Sequence, residues 1–428
     1  MNRRGFVLGA AGLSALSLAG LRWWPDQGVL NPCLSEPVPA KLMNHDVVQR
    51  ALAGLDFSQV WDCHAHIIGV GDDDSGIYLN PEMTSLWNLW PYIQFHFYLN
   101  GSCVNGEWNP GSERNPNNKN KDQVSHIDRQ YVDRLTYLVD QLPKGYKTLL
   151  LAFEYFYDER GKRRTEFSAF YTPNEYVANI SSLRPDRFQW IASVHPYRED
   201  GLEELKRVIA QGACAIKWLP QGMGIDPENK RCDAFYQRLA DARLPLLVHT
   251  GAEQAITVPG GEEYGNPLKL RRALDHGVTV ICAHAASLGR GRDLDRVRKN
   301  PKTNVTTSNF ELFVRLMEEE RYRGRIYGDL SAVTQVNRNI EIIEALVTHD
   351  EWHDRLLHGT DYPLPGVMPV FSLDEFVSKG YIEEKQSEIL TALRKYNPIL
   401  FDLLLKRMLS IRGKQFSSDV FETRRVFN

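Results

Sequence analysis

The segment Val60-Trp61-Asp62-Cys63-His64-Ala65-His66 sets polar side chains inside an apolar run, and its reading decides the fold. On a strand, residues two apart point to the same side, so His64 and His66 share a face. By strict alternation Asp62 lies on that face one step deeper, while Trp61, Cys63 and Ala65 turn the other way. Two imidazoles at a strand's C-terminal end can ligate one ion, although an isolated His-x-His also suits a hydrogen-bonded pair.

The pattern recurs. Further short apolar runs, rich in β-branched, aromatic and Leu residues, occupy 147–155, 188–195, 213–219, 245–250, 278–284, 325–331 and 355–361. Amphipathic stretches separate them. Asn266-Pro267 opens one helix and Gly277 closes it; 203–211 ends at Gly212; Ile127, Tyr131, Leu135, Leu138 and Leu142 recur at helical spacing; 310–320 and 339–348 flank the seventh run. Eight strands alternating with helices predict an α/β fold, a (β/α)8 TIM barrel. The alternative is an open doubly wound sheet, which the absence of a glycine-rich phosphate fingerprint after any strand disfavours. After the first strand comes a long insert, about 67–125, far beyond the usual loop length. It carries Trp87, Trp90, Tyr92, Phe95, Phe97, Tyr98 and Trp108 before turning polar at 115–122. A lid or pocket wall is one reading; an oligomer contact or a small satellite core is the other.

The chain has 428 residues, 43% of them hydrophobic, and a net charge of -3, which gives no reason to expect nucleic acid or an acidic membrane as partner. The six cysteines show no CxxC spacing. Cys63, Cys214 and Cys282 lie in apolar runs and read as small buried hydrophobes; a disulfide among the others stays open. Residues 1–24 read as an export signal of twin-arginine type, Asn2-Arg3-Arg4-Gly5-Phe6-Val7-Leu8 leading into an apolar stretch with Ser17-Leu18-Ala19 as the cleavage region. The stretch is short for a spanning helix, so an exported protein of the periplasm or cell envelope is expected, without stable membrane insertion. Residues 25–57 read as a Pro-containing arm, 58–405 as the barrel, and 406–428 as a polar tail, either a partner arm or disordered.

His249 ends the fifth run, His284 the sixth and Asp361 the eighth, and Lys217 sits within the fourth. Such groups inside apolar strands are costly unless paired or metal-bound, and in a parallel barrel these ends converge on one mouth. Histidines and a carboxylate around an open position suit a catalytic zinc ion; iron, manganese or cobalt also fit. Glu154, His195 and Asp329, in the second, third and seventh runs, are further pocket candidates, as is His96 in the insert, although rim polar groups satisfied by the fold explain the first three as well. His358, three residues before Asp361, faces away from it.

Taken together, Asp62-Cys63-His64-Ala65-His66, the lysine strand, Leu247-Val248-His249-Thr250-Gly251, Ala283-His284 and Gly359-Thr360-Asp361-Tyr362-Pro363 resemble the amidohydrolase superfamily over about 58–405. The resemblance is strongest to its amidohydrolase-related branch, which includes hydrolases, lactonases and nonhydrolytic decarboxylases. It implies a distorted barrel with one or two divalent ions. It assigns His64, His66, His249 and Asp361 to the principal ion, His284 to a second ion or to the attacking water, and Asp361 to the role of general base. Lys217 is then either a carboxylated bridge between two ions or a free ammonium for a substrate carboxylate; its context, Lys217-Trp218-Leu219-Pro220, has Leu219 where the branch often has histidine. The expected function is hydrolysis of an amide, lactone or ester in a small molecule. A metal-dependent decarboxylase or other lyase is the alternative, and an exported, non-catalytic metal-binding protein a second one. The aromatic insert points to a planar or apolar substrate, and a homo-oligomer is compatible with all three.

Overall fold

A computed structural model describes residues 27–104, 126–253, 261–303 and 305–427. The expected signal at 1–24, Trp108 and the polar stretch 115–122 lie outside the described residues.

The apolar runs form strands β1 (Trp61–His66), β2 (Lys147–Leu151), β3 (Phe188–Ile191), β4 (Ile216–Trp218), β5 (Leu246–His249), β6 (Val280–Ala283), β7 (Ile326–Asp329) and β8 (Leu356–Leu357). Strands β1 to β3 pair in parallel, and so do β4 to β8. Two seams join these halves. Lys217 N donates to Ala192 O at 2.7 Å and Ala192 N to Ala215 O at 3.0 Å, linking β3 to β4. Asp361 N donates to His64 O at 2.7 Å and His66 N to Tyr362 O at 2.9 Å, linking the chain beyond β8 to β1. The eight strands therefore close into the TIM barrel that the alternation predicts.

Alternation along the strands sorts the core. Leu149, Leu151, Ile191, Leu247, Ile281 and Leu357 fill the barrel interior, whereas Leu150, Trp190, Ile216, Val248 and Cys282 pack outward under the helices. Strand β1 departs from simple alternation. Its register against β2 slips between Asp62 and Ala65, a bulge that inserts one residue. Trp61 and Cys63 consequently join the interior cluster and Ala65 the outer core. Asp62 turns outward, where its carboxylate accepts from Thr360 N at 2.8 Å and Thr360 Oγ1 at 2.6 Å. The expected orientation of Trp61, Asp62 and Cys63 is thus corrected; that of His64 and His66 stands.

The arm of 27–57 contains α1 (Asp46–Leu52) and is strapped across the molecule. A disulfide joins Cys33 to Cys103, Asn31 N donates to the Asn100 side chain at 2.8 Å, and Tyr137 OH donates to Ser35 O at 2.7 Å. Cys63, Cys232 and Cys282 are buried free thiols, while Cys214 is only half-buried. Within the insert, Tyr78–Leu79 pairs antiparallel with Phe170–Tyr171, and α2 (Leu89–Gly101) follows. Helix α3 (Ile127–Asp140) buries Tyr131, Leu135 and Leu138 at the predicted spacing. Asn266 caps a 3-10 turn, Pro267–Leu270, by accepting from Leu268 N at 3.0 Å, and the helix expected there is shortened to α4 (Arg271–Asp275). Helices α5 (Glu384–Tyr396) and α6 (Pro398–Met408) complete the wall near β1.

The stretch 406–428, expected as a tail, belongs to the barrel. Helix α6 runs through the 405/406 boundary. Val420 O accepts from His358 N at 2.7 Å, the Thr423 hydroxyl donates to Trp61 O, and Phe427 packs into the interior cluster at the barrel's closed end. Scattered apolar residues, Phe416, Val420, Phe421 and Phe427, do this within a mostly polar stretch, which is why composition alone reads it as a tail. Among the described residues no helix is long and apolar enough to cross a membrane.

Candidate active site

Strand ends and the turns just beyond them carry the polar cluster: His64 and His66 on β1, Lys217 on β4, His249 on β5, His284 after β6, Asp329 on β7 and Asp361 after β8. His284 and Asp361 adopt left-handed backbone, with φ of 58° and 59°. A non-glycine residue takes that conformation only where its surroundings fix it. Here Asp361 N is bound to His64 O, and His284 N donates to Asp329 Oδ1 at 3.0 Å.

The side chains interlock. Asp329 Oδ2 lies 2.9 Å from His64 Nδ1. A carboxylate cannot donate, so the proton sits on Nδ1 and the Nε2 lone pair faces the site. There Lys217 Nζ stands 3.2 Å from His64 Nε2, and Asp361 Oδ1 lies 3.6 Å from the same atom and 3.2 Å from His66 Nε2. Asp361 Oδ2 is 3.9 Å from His284 Nδ1. The Ser331 carbonyl lies 3.2 Å from His284 Nδ1, so that nitrogen carries the proton. The Ser331 hydroxyl bridges His64 and His284, at 3.1 and 2.8 Å from their Nδ1 atoms. The His249 ring sits 5.0 Å from that of His284; its Nε2 is buried without a hydrogen bond, with Glu253 Oε2 3.3 Å away.

Burial pushes the His64 imidazole down to about 4, aided by the Lys217 ammonium and opposed by Asp329 and Asp361. Burial also lowers His249 and His284. For Asp361 burial works upward, but His284, His64 and the hydrogen bond from His66 outweigh it and hold the carboxyl well below its usual range. Burial lowers Lys217 as well, against the pull of Asp329 and Asp361. Neutral imidazoles beside an ionised carboxylate are the protonation states a metal ligand set requires.

These groups form one pole of a cavity of about 430 Å³ whose remaining wall is mostly apolar, with Trp90, Ile93 and Phe97 of α2, then Phe153, Phe170 and Leu219. The insert is therefore a pocket wall. His64, His66, Lys217, His249, His284 and Asp361 all line this cavity, and Asp329 stands directly behind His64. Three candidates lie elsewhere. Glu154 is paired with Arg198 at 2.6 Å. His195 donates from Nε2 to Met223 O at 2.8 Å and accepts from Tyr197 N at 3.0 Å, so the fold uses both nitrogens. His96 sits on α2 against the Tyr92 ring, 4.2 Å between centroids, outside the lining. His358 packs outward against Phe421, as expected of a structural residue. Sequence reasoning missed Arg338, Glu253 and Ser331. Glu253 follows His249 by one helical turn's spacing, a signal that was available; Arg338 lies in an aperiodic polar loop and offered none.

Two sets of donors could hold an ion. His64, His66 and Asp361 offer atoms within 4.8 Å of one another, and so do His64, His284 and Asp329. Because Asp329 engages Nδ1 of His64, the first set uses Nε2, which faces the site beside Lys217 Nζ, and the buried Nε2 of His249, which makes no hydrogen bond, is a further donor atom that an ion would satisfy. The residues present fit a divalent metal.

The fold is a closed α/β barrel whose mouth gathers histidines and a carboxylate that could hold a metal ion. The family model described as Amidohydrolase matches residues 61–370, and the chain belongs to that family. Among solved structures it is similar to an uncharacterised TIM-barrel protein from Bordetella bronchiseptica, with 15% identity, 82% of this chain and 99% of that one covered, and a TM-score of 0.44. Another is IDCase from Metarhizium anisopliae, with 11% identity, coverage of 86% and 96%, and a TM-score of 0.44. A third is 5-carboxyvanillate decarboxylase from Sphingomonas paucimobilis, with 13% identity, coverage of 58% and 75%, and a TM-score of 0.36. None of these is similar enough to lend this chain a substrate. No curated protein matches it.

Proposed function

We propose that the protein is a metal-dependent hydrolase that cleaves a C–N or C–O bond, in an amide, lactone or ester, of a small molecule. One observation carries the reading: His64, His66 and Asp361 bring donor atoms within 4.8 Å of one another at the polar pole of an otherwise apolar cavity. These residues would hold the ion, with His249 as a further ligand. A bound divalent ion supplies Lewis acidity to a substrate oxygen and lowers the pKa of water.

The protein's own groups do the rest. Asp361 Oδ1 faces His66 while Oδ2 faces His284, so one carboxylate can both ligate and take up a proton for the leaving group. His284, its Nδ1 held by Ser331, has Nε2 left for a water or a substrate oxygen. Lys217 enters as the carboxylated bridge if two ions bind, or as the ammonium beside His64 if one does; metal equivalents per chain decide between them.

The test pairs metal analysis with a hydrolysis screen of amides, lactones and esters. Turnover should vanish on chelation and return with zinc, manganese or cobalt. Asp361→Asn should stay folded and lose activity on the order of 10²–10⁴-fold, the range of a lost general base. Wild-type turnover in that variant would refute the assignment. The apolar cavity favours a second reading, decarboxylation, because a carboxylate drawn out of water is readier to lose carbon dioxide. Carbon dioxide release in the same screen identifies it. Export is part of the proposal, supported by the Cys33–Cys103 disulfide, since such bonds persist in oxidising compartments.

A further inference from the structure

Arg338 lines the cavity with no ion pair and no side-chain hydrogen bond among the described residues, and its Nε is buried without a partner. A guanidinium carries donors in a planar fork that matches a carboxylate, and leaving them unmatched in an apolar setting is costly. Other arginines show how such donors are matched: Arg394 donates to three backbone carbonyls, and Arg198 binds Glu154 and Asp200. Asp361 and Glu253 act on Arg338 through space, but burial prevails and brings it down to about 10, so it remains charged at neutral pH.

Charge balance points the same way. Around the polar pole three carboxylates (Asp329, Asp361 and Glu253) face two cations (Lys217 and Arg338). With one divalent ion bound and Lys217 a free ammonium, that group would carry a single net positive charge, which a monoanion would cancel; uncompensated charge is expensive in a low-dielectric cavity. Lys217 stands among the donor atoms beside His64 Nε2, whereas Arg338 has no partner of its own among the described residues, which makes Arg338 the receiving group. The same cavity is lined by Trp90, Ile93, Phe97, Phe153 and Leu219, an extensive apolar surface suited to an apolar body.

We propose that the cavity takes an apolar molecule bearing a single carboxylate-type anion, and that Arg338 receives that anion. This deepens the metal-dependent reading and rests on it. Arg338 is thus a specificity-determining residue: it accepts anionic substrates, and the net charge of the pole rejects cationic ones.

The test uses calorimetry on the full zinc-loaded chain with three matched probes: 4-phenylbutyrate, its neutral amide and 4-phenylbutylamine. The carboxylate should bind roughly 10- to 100-fold tighter than the amide, as one charge-assisted pair warrants, and the amine should not bind. In Arg338→Met the preference should collapse with amide affinity unchanged, which also reports an intact fold; Arg338→Lys should keep most of it. Equal affinities in the wild type, a preference that survives Arg338→Met, or no binding of any probe would overturn the inference. Zinc content of the same preparation separates the two proposals. Protein that retains zinc but ignores probe charge sinks this inference alone, whereas protein that retains no zinc sinks the metal-dependent reading.

Discussion

Asp329 shows how much one side chain decides. It touches no cavity wall, yet it sets which nitrogen of His64 faces the site. Replacing it with Asn should weaken metal affinity roughly 10- to 100-fold, the usual cost of losing a carboxylate behind a ligating histidine, as read by chelator competition. Unchanged affinity would show that His64 orients itself. His195 makes a different point. Burial pushes its imidazole down to about 3, well below the ordinary value near 6.5 of an unfolded chain. Between those values the unfolded chain takes up a proton that the folded protein refuses. Its contribution is therefore complete above about pH 6.5 and is lost as pH falls toward 3, at about 1.4 kcal/mol per pH unit. In urea titrations at pH 7 and pH 5, His195→Gln should lose less stability than the wild type; equal losses would refute this linkage. At this scale the sequence revealed the candidate donors that the structure gathers, because a histidine or aspartate inside an apolar strand has few inexpensive explanations. Arg338 stayed hidden, because an arginine in a polar loop is unremarkable until the cavity beside it is seen.

Elements were legible where periodicity governs them. The eight runs and the spacing on α3 followed from apolar pattern alone. The bulge in β1 did not, because an inserted residue leaves no compositional mark and simply flips the face of what precedes it. Nor did the support of the Asp361 turn. From α5, fully buried Arg394 donates to Pro365 O at 2.7 Å, Val367 O at 2.8 Å and Met368 O at 3.3 Å. Its guanidinium lies between the rings of Phe371 and Phe401, 4.9 and 5.0 Å from their centroids. Arg394→Met keeps the bulk but strands three carbonyls. It should cost about 3–5 kcal/mol in urea unfolding, the range for removing one side of a buried charged network. A loss below about 1 kcal/mol would mean the turn holds its shape unaided.

The molecule as a whole is a barrel sealed at one end and open to an apolar chamber at the other. Phe427 belongs to the seal, packed among Trp61, Cys63 and the interior leucines. Phe427→Ala should destabilise the fold by about 3–5 kcal/mol in thermal or urea unfolding while leaving metal stoichiometry intact, since the site lies at the opposite mouth. Loss of metal at full stability would contradict that separation. The seam between β1 and the chain beyond β8 carries a different consequence. His64 and Asp361 are bonded across it through their backbones, and their side chains meet in the same site. A ribosome must therefore finish the eighth strand before the first can offer a complete binding site. A nascent chain paused before residue 361 has His64 and His66 but lacks the carboxylate that completes their donor set.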